Sequence, residues 1–294
     1  MRTPAASRRR GTAARATPRR NLMLGRNRRT AVTLALTLLA LAGCRTGSGR
    51  PAAPSGVAPT SPPLRVGVTP SSPPFAFRQG GELVGLEVDF ARALAGALGR
   101  PLQLREVDWD DQIPALLAGR TDAIMSGMTI TPARQVRMAF SDPYLSSGLL
   151  AVVRRGDRDR YPDGKTVLRK VGAIGVVGGT TGERFAREQR AASVSVYPTP
   201  AAAVMELQQH RVDAVIHDAP VLLWFVSGHE AELAPVLDPL NREELGWGLR
   251  PSDDELRAAM NGALARWRED GTRERILSRW IPYLSRLEAE VRAR

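Results

Sequence analysis

From Leu64 onward, short apolar runs alternate with amphipathic stretches. Leu64-Arg65-Val66-Gly67-Val68 reads as a strand. Leu86 to Leu98 places Phe90, Leu94 and Leu98 at helical spacing, with Gly99 as a stop. Leu102 to Val107 alternates as a strand, Ile113 to Leu117 is a short helix, and Asp122 to Met125 is a strand again. The second half repeats this order. A β run from Val171 to Val177 enters a glycine-rich turn and a helix from about Gly182. A helix over Ala201 to Gln209 and a strand over Val212 to Ile216 follow. Arg120-Thr121-Asp122-Ala123-Ile124 recurs as Arg211-Val212-Asp213-Ala214-Val215, each a helix end, a turn and a buried strand. The alternation predicts α/β layering in two similar lobes. The tail predicts two helices. Ser252 is the expected cap of the first, with Leu256, Met260, Leu264 and Trp267 on one face and Gly271 ending it. The second carries Ile276, Leu277, Trp280 and Ile281.

The first 63 residues follow different rules. Arg26, Arg28 and Arg29 precede an apolar run from Ala31 to Ala42, the length of a signal-peptide core and short for a membrane span. It ends Leu41-Ala42-Gly43-Cys44, which resembles a bacterial lipobox, where cleavage precedes a cysteine that then carries lipid. Residues 1–43 are therefore expected to be a lipoprotein signal peptide. A retained N-terminal anchor is the alternative, and either exports the rest. The stretch before Met23 is long for a leader, which makes Met23 a candidate start. Residues 44–63, rich in Pro, Ala, Gly, Ser and Thr, read as a disordered tether spanning roughly 24 Å. Cys44 is the only cysteine, so no intramolecular disulfide forms. The formal net charge is +12, but residues 1–43 hold ten arginines and no acidic residue, which leaves +2 for the remainder. The basic footprint of a nucleic-acid binder is missing from the folded part.

Ligands in open α/β sheets sit beyond the carboxyl ends of strands. Three such loops carry suitable groups. In Ser126-Gly127-Met128-Thr129-Ile130-Thr131-Pro132-Ala133-Arg134, Thr131 fits a helix N-cap and Pro132 the first helical position. Arg134 then falls in the first turn, where a cation opposes the helix dipole unless an anion is held there. Gly178-Gly179-Thr180-Thr181-Gly182 offers hydroxyls and backbone donors at a helix N-terminus, without the spacing of a nucleotide-binding loop. Ile216-His217-Asp218-Ala219-Pro220 offers a carboxylate for an ammonium group. Trp109, among Asp108, Asp110 and Asp111, is a candidate cleft wall, and Phe75 after Pro73-Pro74 is another. Each has an ordinary reading when taken alone: Arg134 a solvated cation, residues 178–182 a capped turn, Asp218 an N-cap, Phe75 a core residue. Together they make the set that an α-amino acid needs: a carboxylate clamp, an ammonium acceptor and an apolar wall.

The chain from Leu64 to about Tyr283 resembles bacterial family 3 solute-binding proteins, the polar amino-acid receptors of ABC importers. The segments that carry the resemblance include Pro73-Pro74-Phe75, Leu83-Val84-Gly85-Leu86-Glu87-Val88-Asp89, Trp109 with Ile113-Pro114-Ala115-Leu116, and Ser126 through Pro132. Phe140-Ser141-Asp142-Pro143-Tyr144, Gly179-Thr180-Thr181-Gly182 and Val212-Asp213-Ala214 complete it. It implies a periplasmic-binding-protein-like type II fold of two α/β lobes, residues 64–147 with 244–294 and residues 148–243, crossing near Ser147 and Glu243. It implies a ligand site of Phe75, Trp109, Ser126, Gly127, Met128, Thr129, Arg134, Gly179, Thr180, Thr181 and Asp218. Arg134 would take the carboxylate, helped by Thr181, and Asp218 the ammonium, helped by Ser126 and Thr129. The expected partners are a small polar ligand, a membrane permease and the membrane itself through lipid on Cys44. The expected state is a monomer, with no cofactor, metal or nucleic acid.

The chain departs from the family at two points. Receptors for basic amino acids often carry an acidic residue where Thr69 stands, and many members an aromatic where Ser72 stands. Arginine, lysine and histidine are therefore not expected as ligands. A dehydratase offshoot of the family uses a carboxyl group after the binding aspartate. Here Asp218 is followed by Ala219-Pro220-Val221-Leu222, and His210, His217 and His229 form no metal-ligand pattern. A ligand-sensing surface lipoprotein is the other alternative.

Overall fold

The computed structural model describes residues 61–189 and 193–283. The expected signal segment, Met23, Cys44 and nearly all of the tether lie outside the described residues. Among the described residues, no helix is long and apolar enough to cross a membrane.

The chain opens on β1 (Leu64–Val68) and a small antiparallel sheet, β2 (Ser71–Ser72), β3 (Ala76–Gln79) and β4 (Glu82–Val84). Then come α1 (Leu86–Ala97), β5 (Leu102–Glu106), α2 (Gln112–Leu117), β6 (Ala123–Ile124), the one-turn α3 (Pro132–Gln135) and β7 (Ala139–Phe140). β8 (Leu145–Ser147) leads out to β9 (Leu149–Arg154), α4 (Gly164–Lys170), β10 (Ile174–Val177), α5 (Thr181–Glu188), β11 (Val194–Tyr197), α6 (Pro200–Gln208), β12 (Ala214–Asp218), α7 (Ala219–Gly228) and β13 (Leu233–Val236). β14 (Glu243–Leu245) returns the chain to β15 (Gly248–Leu249), α8 (Asp254–Glu269) and α9 (Thr272–Trp280).

Two five-stranded sheets result. Lobe 1 has the order β5-β1-β6-β15-β7 and lobe 2 the order β11-β10-β12-β9-β13. In each, three strands run parallel and an antiparallel strand follows, β15 beside β6 in lobe 1 and β9 beside β12 in lobe 2. The outgoing β8 and the returning β14 pair antiparallel between the sheets, with Ser147 opposite Glu243.

The recurring Asp phrase has a structural reason. Asp122 Oδ2 accepts from the Arg65 backbone N–H at 2.9 Å and Oδ1 from the Arg65 guanidinium at 2.6 Å. Asp213 Oδ2 accepts from the Ala173 N–H at 3.0 Å and Oδ1 from Arg154 at 3.2 Å. In both lobes a carboxylate at the foot of one strand ties down the entry of its neighbour, which satisfies a backbone donor that the ladder does not.

Three expectations need correction. Val171 ends α4, so β10 begins at Ile174. β12 runs to Asp218, two residues beyond the expected end, because its last residues pair with Leu150 and Leu149 of β9. Ser252 does not cap α8. Asp253 occupies the cap position and makes no cap bond, its carboxylate lying 2.8 Å from Arg250.

Lobe 1 has an aromatic core. Phe90 lies 5.4 Å from Tyr144, 5.5 Å from Trp247 and 6.0 Å from Trp267, ring centre to ring centre. The carboxyl of Glu87 is sunk among these rings. Its Oε1 accepts from Tyr144 Oη and from the Gly127 N–H, both at 2.7 Å, and its Oε2 accepts from Trp247 Nε1 at 3.0 Å. Burial pushes Glu87 up to about 7, against the pull of these donors. Lobe 2 covers the two faces of its sheet mainly with Val, Ile, Leu and Ala.

Candidate functional site

A cleft lies between the lobes, at the carboxyl ends of their parallel strands. Lobe 1 lines it with Thr69, Ser71, Ser72, Phe75, Trp109, Ser126, Gly127, Thr129 and Arg134. Lobe 2 adds Val177, Thr180, Thr181, Pro198, Pro200, His217, Asp218 and Val221. Nine expected residues are thus brought together: Phe75, Trp109, Ser126, Gly127, Thr129, Arg134, Thr180, Thr181 and Asp218. Two are not. The Met128 side chain packs with Leu116, Ile124 and Met138 in the core, because the peptide following Gly127 turns it inward. Gly179 lies on an adjoining groove with Arg184 and Arg187.

Local sequence sets each group. Gly127 has φ +67°, and a Cβ there would lie 2.6 Å from the Phe75 ring. Phe75 is therefore both core and cleft floor. The Ser126 hydroxyl accepts from the Thr69 N–H at 2.7 Å and from Gln112 Nε2 at 3.3 Å, so its own hydrogen is left for a ligand. Thr69 Oγ1 donates to Val107 O at 3.1 Å and accepts from Gln112 Nε2 at 2.9 Å.

Thr131 caps α3, accepting from the Arg134 N–H at 3.3 Å. The Arg134 side chain is not simply solvated. Nη1 donates to Thr129 O at 2.9 Å, Nη2 reaches across to Gly179 O at 3.4 Å, and the guanidinium stacks 5.2 Å from the Trp109 ring centre. Two of its five N–H groups are used, which leaves three for an anion. Desolvation lowers its pKa, with Asp218 and Glu243 acting against that shift.

On lobe 2, Thr180 is the helix cap. Its hydroxyl accepts from the Glu183 N–H and donates to Val177 O at 2.7 Å. Thr181 instead turns its hydroxyl to Glu243 Oε2 at 3.1 Å. Asp218 stands at the N-cap position of α7 but makes no cap bond. Its Oδ1 is buried and has no hydrogen-bond partner. His217 Nδ1 accepts from the Asp218 N–H at 2.7 Å, so that nitrogen's lone pair is spent and it does not donate to the Asp218 carboxylate 3.1 Å away. A buried carboxylate oxygen without a donor is costly, and a cationic donor would satisfy it.

Several residues escaped the sequence reading. Pro198 and Pro200 flank Thr199, which caps α6 as Thr131 caps α3; the shared Thr-Pro signature is a legible signal. Glu243 had none beyond its place near an expected crossing. It sits on β14 and accepts from Thr129 Oγ1, Thr181 Oγ1 and Asn241 Nδ2. Burial and the neighbouring Asp218 push it up to about 7.

The family model for bacterial extracellular solute-binding proteins, family 3, matches residues 64–283. The chain belongs to this family. As a family 3 solute-binding protein it is similar to the L-cystine-binding protein TcyJ of Escherichia coli strain K12, 31% identical over 220 residues, 74% of this chain and 82% of that one. It is also similar to the probable histidine-binding protein of Neisseria gonorrhoeae, 30% identical over 261 residues, 85% of this chain and 94% of that one. Among solved structures it resembles the ancestral amino acid-binding protein AncCDT-1, a precursor of cyclohexadienyl dehydratase. The TM-score is 0.68 at 32% identity, over 74% of this chain and 94% of that one. These family 3 relatives are amino-acid-binding proteins, and the fold they share with this chain is the type II binding-protein fold.

Proposed function

We propose that this protein is the lipid-anchored receptor of an ABC importer and that its lobes close on an α-amino acid with an uncharged polar side chain. The observation that carries this reading is the unpartnered Asp218 Oδ1, buried in the same cleft as the free N–H groups of Arg134. Opposite charges lining one cleft suit a zwitterion. Arg134 and the N-terminus of α5 take the carboxylate. Asp218 and Thr129 take the ammonium group, and Trp109 with Phe75 walls the side chain. Closure excludes water and strengthens both contacts. The cystine and histidine receptors among the relatives support an amino acid as the ligand. Thr69, Ser71 and Ser72 line the cleft, and Asp218 is the only carboxylate among its described lining residues. A second positive charge finds no acceptor there, which argues against arginine, lysine and histidine. We read the protein as a monomeric receptor rather than an enzyme. Glu243, the other nearby acid, does not line the cleft, and its Oε2 is taken up by the hydroxyls of Thr129 and Thr181. Cys44 supplies the anchor and a separate permease the partner.

Thermal unfolding of the purified protein against a panel of amino acids tests this. A ligand at about a hundredfold over its Kd adds about 2.7 kcal/mol, a shift of several degrees. Arg134→Ala and Asp218→Ala are each expected to cost about 3 kcal/mol of binding, roughly a hundredfold in Kd. No shift with any amino acid, after unfolding and refolding to strip bound ligand, removes the amino-acid assignment. A strong calorimetric signal with arginine removes the exclusion of basic ligands.

A further inference from the structure

Glu243 connects three parts of the molecule. It sits on the returning strand β14, opposite Ser147 on the outgoing strand β8. One carboxylate oxygen, Oε2, lies 3.1 Å from Thr129 Oγ1 of lobe 1 and 3.1 Å from Thr181 Oγ1 of lobe 2. The other, Oε1, accepts from Asn241 Nδ2 at 3.0 Å, and Asn241 Oδ1 accepts from the Leu149 N–H at the start of β9. Thr129 and Thr181 both line the cleft, whereas Glu243 does not.

A carboxylate only accepts hydrogen bonds, so both hydroxyls must donate to it. Their hydrogens are then unavailable to a bound molecule, and each hydroxyl shows the cleft only lone pairs. The two threonines come from different lobes, so both reach the same oxygen only when the lobes are closed. We propose that Glu243 is a positioning residue that couples lobe closure to the polarity of the site, fixing the Thr129 hydroxyl as an acceptor for the ammonium end of the ligand and leaving the carboxylate to the backbone N–H groups that open α5 rather than to the Thr181 hydroxyl. The coupling to ammonium recognition rests on the reading of the protein as an amino-acid receptor. The closure bridge does not, since it rests only on the positions of Glu243, Thr129 and Thr181.

Glutamine cannot replace Glu243 without a mismatch. Its amide oxygen can face the two hydroxyls, but the NH2 group then meets the Asn241 NH2 group, and the flipped amide offers hydrogens to the threonines instead. Other charged or titratable groups in this region are Asp218 and its neighbour His217 on β12, Arg134 on α3 and Arg184 on α5; Glu244, next in sequence, accepts from Ser146 Oγ.

The test compares wild type, Glu243→Gln, Thr129→Val/Thr181→Val and the triple variant. Small-angle scattering of the ligand-free proteins reads closure. Calorimetry with L-glutamine and L-cystine at pH 8 and pH 6 reads the site. Glu243→Gln and the double valine variant are both expected to show a larger radius of gyration than wild type. Each is expected to bind the amino acid about tenfold more weakly at pH 8. Wild-type affinity is expected to fall from pH 8 to pH 6, as a proton on Glu243 releases a hydroxyl hydrogen to the cleft, and the fall is absent in Glu243→Gln. In the valine background, Glu243→Gln is expected to add nothing. Unchanged scattering in Glu243→Gln overturns the closure bridge, whichever amino acid binds. An undiminished effect in the valine background, or a pH response that persists in Glu243→Gln, overturns action through the hydroxyls. The double valine variant, which keeps Glu243, decides the matter if Glu243→Gln fails to fold. Absence of binding by wild type to both amino acids counts against the receptor reading and leaves the scattering result to judge the bridge.

Discussion

Lobe 1 gathers Phe90, Tyr144, Trp247 and Trp267 around the buried carboxyl of Glu87, whereas lobe 2 packs mainly aliphatic side chains on both faces of its sheet. Both lobes use the same Asp anchor at the strand foot, so the difference lies in what each must hold. In lobe 1, Glu87 grips the Gly127 N–H and thereby fixes the loop that carries Ser126 and Thr129. In lobe 2, the cleft groups sit directly at element ends, Thr181 opening α5 and Asp218 closing β12. A strand end is held by its ladder, while the loop around Gly127 is held by Glu87. Lobe 1 is therefore a braced frame, and lobe 2 a simpler body that presents helix and strand ends to it.

The sharpest way to break this contrast is Glu87→Ala. It strands the Gly127 N–H, Tyr144 Oη and Trp247 Nε1 in the core, and a loss of about 3–5 kcal/mol is expected from urea unfolding. A loss below about 1 kcal/mol would mean that the brace is dispensable and the lobes are alike.

A smaller effect separates two glycines with nearly the same backbone. Gly127 (φ +67°) would push a Cβ into the Phe75 ring of its own lobe. Gly179 (φ +69°) would push one toward Asp110 Oδ1 at 2.7 Å and Trp109 Nε1 at 3.2 Å, across the cleft. Gly127→Ala is expected to lower stability by about 2–4 kcal/mol, combining left-handed strain with overpacking. Gly179→Ala is expected to cost only about 1–2 kcal/mol of strain but to hold the ligand-free protein more open in small-angle scattering. Equal stability losses with no change in scattering would erase the distinction between frame and moving body.

The smallest effect concerns pH. Glu87 and Glu243 both have carboxyls raised from an ordinary 4.5 to about 7. The folded protein therefore holds more protons than the unfolded chain between these values, and stability falls as pH rises through 7. Going from pH 7.5 to pH 6.5 is expected to add about 1 kcal/mol. Glu87→Gln should remove about half of that slope, the share belonging to lobe 1. A slope of the opposite sign in urea titrations would refute the assignment of both groups.

The sequence carried most of the fold. Period-two and helical spacing marked β1, α1, α6 and the tail helices, and the recurring Arg-x-Asp phrase marked the relation between the lobes. It also carried the loops that meet at the cleft, because strand ends followed by Thr-Pro, Gly-Gly-Thr or Asp-Ala-Pro have a local meaning. It misplaced Met128, since the direction of a side chain after a left-handed glycine depends on the whole turn. It also gave Ser252 a cap that α8 does not use.

Local sequence already placed an Arg, hydroxyls and an Asp in these loops. Only the tertiary structure decided which of those groups are already spent and which are free: Thr180 consumed by its helix, Asp218 Oδ1 left without a partner, Glu87 braced in the frame and Glu243 joined to both lobes. Local pattern fixes which donors and acceptors a segment owns. Their pairing depends on residues more than a hundred positions apart, such as Thr129 and Glu243, which become neighbours only when the two lobes are assembled.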